Sequence, residues 1–205
     1  SPLPALSILM PVYNEIDSIA AILDRVEAAL PDVTKEIVIV DDGSRDGTRA
    51  WLSERFPSTV DEKSIGHGVS PACWLPSGCL ARVIFHSRNK GKGGALQTAI
   101  RAATGDVLII QDADLEYDPD DWRVMYDLVA VKKVADVVYG SRFYGKPHRS
   151  LYFHHYVANR LISLIFNILC NQTLTDIETC YKMFTRQVLN SLRLTAHDFG
   201  IEIQI

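Results

Sequence analysis

Strand-length apolar runs recur along this chain, and most are followed by a polar loop and then a helix-spaced segment. Leu6-Ser7-Ile8-Leu9-Met10-Pro11-Val12 is the first run, and Glu36-Ile37-Val38-Ile39-Val40 the second. Residues 82–86, Asp106-Val107-Leu108-Ile109-Ile110 and residues 136–140 follow. The second run is too uniformly apolar for a sheet with one wet face; strands buried on both faces read this way. Between the first two runs Ile16, Ile19, Leu23, Val26 and Leu30 recur at helical spacing. Asn14 or Asp17 is the expected N-cap of that helix, and Pro31 ends it. Further helices are expected near residues 48–56, over 95–103 with Gly105 as its C-terminal cap, and from Pro119 to about 133. Strand–helix alternation of this kind predicts an α/β fold: a mostly parallel central sheet with helices on both faces. In such sheets ligands bind beyond the carboxyl ends of the strands, where these polar loops lie.

The fourth run ends in Gln111-Asp112-Ala113-Asp114-Leu115-Glu116-Tyr117-Asp118-Pro119. Alternate residues of an extended segment point to one side, so Asp112, Asp114 and Glu116 are expected to share one face of the strand tip. Like charges so placed repel unless a cation joins them, and hard oxygen ligands suit Mg²⁺ or Mn²⁺. The expectation is a metal–diphosphate site at the tip of a central strand. A solvated acidic turn opening a helix is the plainer alternative.

Other loops carry matching chemistry. Glu15, Asp41 and Asp42 stand at the first two strand ends, where carboxylates can accept from ribose hydroxyls or a base N–H, or simply cap helices. Asp41-Asp42-Gly43-Ser44-Arg45-Asp46-Gly47-Thr48 keeps its acids within a turn that two glycines permit. Arg88-Asn89-Lys90-Gly91-Lys92-Gly93-Gly94 reads as an anion-binding loop opening a helix. It lacks the spacing of a Walker loop and of a dinucleotide fingerprint. Arg142, in Gly140-Ser141-Arg142-Phe143, could grip a phosphate through a guanidinium fork. Arg149, His155, Asn159 and Arg160 are further polar or cationic candidates.

Length and charge narrow the class. The chain has 205 residues, enough for one domain or one domain with an appendage. A net charge of −4 gives no general attraction to nucleic acid. Cys73, Cys79, Cys170 and Cys180 form no zinc-type spacing and read as free thiols, with a Cys73–Cys79 pair a weak alternative. No signal peptide and no uninterrupted transmembrane run is expected. Ser1-Pro2 at one end and strand-like residues 201–205 at the other read as a trimmed piece of a longer chain. Residues 57–80 read as a long irregular insertion. Residues 151–170 read as a core helix or as one lying in a membrane interface. Residues 181–184 read as a strand and 186–192 as a helix.

Taken in order, five pieces resemble the inverting glycosyltransferases of family 2, which share the Rossmann-like GT-A fold. They are Pro11-Val12-Tyr13-Asn14-Glu15, residues 41–48, Asn89-Lys90-Gly91-Lys92-Gly93, Asp112-Ala113-Asp114 and Gly140-Ser141-Arg142-Phe143. Asp112-Ala113-Asp114-Leu115-Glu116-Tyr117, with Thr175-Asp176-Ile177-Glu178-Thr179-Cys180-Tyr181-Lys182, looks like the polyprenyl-phosphate branch, typified by dolichyl-phosphate mannosyltransferase. The resemblance implies one catalytic domain over residues 1–205, truncated at its C-terminus, with residues 146–205 on the acceptor side. Asp114 and Glu116 would ligate the metal, with Asp112 direct or through water. Pro11, Tyr13, Glu15, Asp41, Asp42 and Ala113 would line the nucleotide. Lys92 and Arg142 would face phosphates, and Arg142, Arg149 and Arg160 the acceptor phosphate.

The implied reaction is inverting transfer of a hexose from a GDP-mannose or UDP-glucose type donor to a dolichyl or undecaprenyl phosphate, at the cytoplasmic face of a membrane. A lipid phosphate is already an anion near neutral pH, so no strong base is needed. A saccharide hydroxyl acceptor, the alternative within the family, would need one, and Asp176 and Glu178 are the candidates. A sugar-1-phosphate nucleotidyltransferase is disfavoured, because Tyr13-Asn14-Glu15 stands where its glycine-rich loop belongs. A nucleotide-sugar-binding domain without catalysis is the remaining alternative.

Overall fold

The computed structural model describes residues 4–64, 72–141, 153–177 and 179–192. Strand β1 (Leu6–Val12) leads through helix α1 (Ile19–Ala28) to β2 (Lys35–Asp41) and helix α2 (Thr48–Arg55). Strands β3 (Thr59–Asp61), β4 (Cys73–Trp74) and β5 (Leu80–Phe85) follow. Helix α3 (Gly91–Ala102), strand β6 (Val107–Ile110), helix α4 (Trp122–Tyr126) and strand β7 (Val137–Tyr139) come next. Helix α5 (Phe153–Cys170), strand β8 (Lys182–Thr185) and helix α6 (Arg186–Ser191) complete the described elements.

One sheet holds the strands in the order β3-β5-β2-β1-β6-β8-β7, with β4 beside β5. β1, β2, β5 and β6 pair in parallel, as the apolar runs predicted, and β3 adds a further parallel pair with β5. Alternate residues of each central strand feed two cores. Leu6, Ile8, Met10, Ile37, Ile39 and Ile109 pack with α1, α2 and α4. Leu9, Val38, Val40, Leu108 and Ile110 pack with α3 and with Leu189 of α6. Every residue of β2 is buried, which is why its sequence shows no alternation.

Several expectations are corrected. β8 enters between β6 and β7, antiparallel to both, so β7 is not the next parallel neighbour of β6. Residues 57–80 are less irregular than expected, for they supply β3 and β4 to the sheet edge. Helix α1 starts at Ile19, and its cap position is Ser18, without a side-chain cap bond. Asn14 instead turns the chain with φ of 57°. Helix α3 starts at Gly91, so the glycines expected in a loop form its first turn. Its C-cap is Ala103. Gly105 is small for another reason: a Cβ there would stand 2.7 Å from the Ser7 hydroxyl and 3.0 Å from its nitrogen. The Pro119 helix start does hold, with Asp118 accepting from the N–H of Asp120. All four cysteines are free, and hairpin register sets Cys73 opposite Ala81 while Cys79 bonds Leu75. The residues expected as a strand at 201–205 lie outside the described residues, as do Arg142, Arg149 and Glu178.

Candidate active site

Parallel register brings the strand ends to one edge. Val12 pairs with Asp41, and Asp41 with Phe85. β7 ends beside the start of β8, Tyr139 against Lys182. The loops after β1, β2, β5, β6 and β7 and the segment before β8 therefore share one rim, as the topology requires.

Hydrogen bonds stitch these loops together. Ser44 Oγ accepts from the N–H of Asn14 at 2.9 Å, and Asn14 Oδ1 from the N–H of Arg45 at 2.8 Å. Thr48 Oγ1 accepts from the N–H of Glu15 at 2.9 Å. Asp42, 3% exposed, accepts from the N–H of Lys90 at 2.9 and 3.0 Å, joining the second loop to the third. Gly43 permits that junction, because a Cβ there would meet the Asn89 nitrogen at 2.9 Å, and its φ is +79°. Lys92 Nζ then crosses to Asp112, 2.8 Å from Oδ1 and 2.9 Å from Oδ2. Beyond it, Tyr181 donates to Gln111 Oε1 at 2.7 Å, and the N–H of Cys180 to Tyr117 Oη at 3.1 Å.

The acidic tip differs in shape from the extended segment expected. β6 ends at Ile110 and the following residues bend, so the two-residue alternation does not run on. Asp112 and Asp114 are half-buried, while Glu116 is exposed and its N–H donates to Asp114 Oδ1 at 2.8 Å. Burial, with the charges of Asp112, Glu116 and Glu15, pushes the Asp114 carboxyl up to about 6 against the pull of that N–H. Glu15, from the β1 tip, thus reaches the same field; its Oε2 also accepts from the Ser18 hydroxyl at 2.6 Å. Among the described residues no three acidic, histidine or cysteine side chains converge to cage an ion. Asp112 and Asp114 nonetheless suit Mg²⁺ or Mn²⁺, ions commonly held by one or two carboxylates with phosphate and water completing the shell. A cation here would offset the burial and the neighbouring negative charge that together raise Asp114.

The other predicted positions divide. Pro11 is half-buried and Tyr13 is 45% exposed at the rim. Ala113 and Asp41 are buried, and Asp41 Oδ2, which lacks a hydrogen-bond partner, faces the Arg49 guanidinium at 3.7 Å. Asp176 is 1% exposed and accepts from Asn159 Nδ2 at 2.9 Å. Arg160 is exposed on α5. Sequence reading missed His86, Glu62, Thr98 and Gln111. A single histidine ending an apolar run carries no periodic signal, and its partners lie 12 to 44 residues away.

The Glycosyl transferase family 2 profile matches residues 7–193. An undecaprenyl-phosphate 4-deoxy-4-formamido-L-arabinose transferase of Serratia proteamaculans is 26% identical over 206 residues, covering 100% of this chain and 56% of the relative. A dolichol-phosphate mannosyltransferase of Pyrococcus furiosus is 30% identical over 143 residues, 67% of this chain and 33% of the relative. The chain thus spans about half, or less, of the length of these relatives. Among solved structures, glucosyl-3-phosphoglycerate synthase of Mycobacterium tuberculosis, in complex with Mn²⁺, UDP and glucosyl-3-phosphoglycerate, superposes with a TM-score of 0.66. It shares 20% identity over 98% of this chain and 63% of that one. At such identity the likeness speaks for the fold, which is GT-A. With motif order, sheet and profile in agreement from Ser7 onward, the chain belongs to glycosyl transferase family 2.

Proposed function

We propose that this domain transfers a hexose, with inversion, from a nucleoside-diphosphate donor to a polyprenyl phosphate, in a metal-dependent reaction. The observation that carries this reading is the half-buried pair Asp112 and Asp114 at the tip of β6, with Lys92 against Asp112. Asp112 and Asp114 would hold Mg²⁺ or Mn²⁺, which when bound neutralises charge growing on the leaving diphosphate. Lys92 stands ready to add a second positive charge on the same side. Pro11, Tyr13, Glu15, Asp41, Asp42 and Ala113 remain proposed contacts for base and ribose, Asp41, Asp42 and Ala113 being buried. Arg142, Arg149 and Arg160 remain proposed contacts for phosphates.

The acceptor assignment draws on the polyprenyl-phosphate relatives and on two features of this chain. Asp176 is buried and hydrogen-bonded, a poor posture for a base deprotonating a saccharide hydroxyl. A lipid phosphate needs no such base. Helix α5 turns Asn159 and Ser163 inward, where Ser163 donates to Asn159 Oδ1 and accepts from the N–H of Ile177. Its outer face exposes Leu161, Leu164, Ile165, Ile168 and Leu169, the last at 78%. No helix among the described residues is long and apolar enough to cross a membrane. We place this face in a lipid headgroup layer, where an apolar face on a polar-backed helix gains by burial.

The test is a transfer assay with UDP-glucose and GDP-mannose against polyprenyl phosphate and against a saccharide acceptor, with and without EDTA. EDTA-sensitive product on the lipid phosphate, with inverted anomeric configuration, is expected. Product only on the saccharide would transfer the assignment to the hydroxyl-acceptor class.

A further inference from the structure

His86 is fully buried at the end of β5, and the proposed transfer does not use it. Its Nδ1 lies 2.6 Å from Asp42 Oδ1 and its Nε2 2.9 Å from Thr98 Oγ1 on α3. A carboxylate only accepts, so the Nδ1 proton belongs to the bond with Asp42. Nε2 shares the second bond with the Thr98 hydroxyl, whose oxygen also accepts from Arg101 at 3.1 Å. The backbone is held as firmly: the N–H of His86 donates to the Asp41 carbonyl at 2.9 Å, and Arg49 donates to the His86 carbonyl at 3.0 Å.

The loop that follows is gripped from two sides. From below, Asp42, oriented by His86, takes the N–H of Lys90. From the side comes Glu62, on the turn after β3. It pairs with Lys90 Nζ, accepts from the Ser87 hydroxyl at 3.3 Å, and stands 3.7 Å from His86 Nε2. Two residues past Lys90 is Lys92, whose ammonium sits on Asp112.

We propose that His86 and Glu62 are positioning residues that lock the 87–92 loop, and with it Lys92, against the carboxylate tip of β6. Residues 59–62 thereby become a brace for the phosphate-facing side of the site. An imidazole suits the inner position because its two ring nitrogens can hydrogen-bond on opposite sides, spanning from Asp42 beyond the sheet to Thr98 on a helix. The functional half of this inference rests on the proposed donor site; the mechanical half does not.

The loop supplies its own probe, for Arg88, Lys90 and Lys92 are three trypsin sites within five residues. Limited trypsinolysis of the whole chain, with cleavage mapped by mass spectrometry, is run on wild type, His86→Leu, His86→Asn and Glu62→Gln. Asparagine retains a donor near the Nδ1 position, and Glu62→Gln changes a group on the loop's outer side, so the Glu62 test does not depend on surviving a core change. Cleavage between residues 88 and 93 is expected to rise about tenfold in His86→Leu and Glu62→Gln, with His86→Asn close to wild type. Unchanged protection in folded Glu62→Gln and His86→Leu overturns the proposal. Calorimetry with UDP or GDP and Mn²⁺ is run on the same set. If wild type binds neither, the donor-site reading fails while the cleavage pattern still decides the brace. If wild type binds and the cleaved variants bind equally well, the loop is not positioned for the ligand and the functional half falls.

Discussion

Asp114 is held in the folded chain at a disadvantage. Its carboxyl is raised from 3.8 to about 6, first by burial and then by neighbouring charge. The folded state therefore binds that proton more tightly than the unfolded chain. The sign follows: this residue's contribution to stability improves as pH falls from about 7 towards 4, and its cost is constant above about 7. Without metal, Asp114→Asn is expected to raise the melting temperature at pH 7.5 while abolishing Mn²⁺-dependent donor binding. Thermal melts with and without Mn²⁺ check both. Glu36, at the opposite end of the sheet, has the reverse sign. Burial would raise it, but the Ser7 and Thr104 hydroxyls, the Thr104 N–H and Arg82 Nε at 3.0 Å hold it below the usual carboxylate range. Its stabilisation is present above that range and is lost as pH falls through its depressed value. Glu36→Ala, which removes the buried ion pair with Arg82 and the acceptor of the Ser7 and Thr104 hydroxyls, is expected to cost about 3–5 kcal/mol by chemical denaturation.

At the level of elements, exposure separates structural from surface roles. Ile168 and Leu169 of α5 are 72% and 78% exposed, so changing both to Asp should leave the melting temperature within about 1–2 °C. The same double change should abolish sedimentation with phospholipid vesicles; retained sedimentation would remove α5 as the lipid-facing element. Gly105 makes the opposite case, since Gly105→Ala drives a methyl onto Ser7 and should cost about 1–3 kcal/mol. Strands β1, β2, β5 and β6 were legible because burial on both faces leaves mostly apolar runs without a two-residue alternation. β8 was legible as a strand but not as a partner, because its pairing with β6 spans more than 70 residues and leaves no local trace. β3 and β4, three and two residues long, are too short to show a period. The start of α3 was hidden because glycines read as loop, whereas here they let the first helical turn pack closely, with Gly93 and Gly94 buried.

For the whole molecule, the residue types of the rim were readable and the couplings between them were not. Acids at strand tips and a lysine in a glycine-rich turn announce their chemistry wherever the fold puts them. Their coupling does not: Asp42 is bonded to His86 and to the N–H of Lys90, 44 and 48 residues on, and the Lys92–Asp112 pair bridges 20 residues. The central claim is that the rim of this sheet binds a nucleoside-diphosphate sugar through a cation at Asp112 and Asp114. Calorimetric titration of UDP-glucose and GDP-mannose, each with Mn²⁺ and with EDTA, tests it on wild type and Asp114→Ala. One donor binding with Mn²⁺, lost with EDTA and lost in the variant, is the result expected. A folded wild-type protein that binds one donor equally well in EDTA, or an Asp114→Ala variant that binds it unchanged, would contradict the claim.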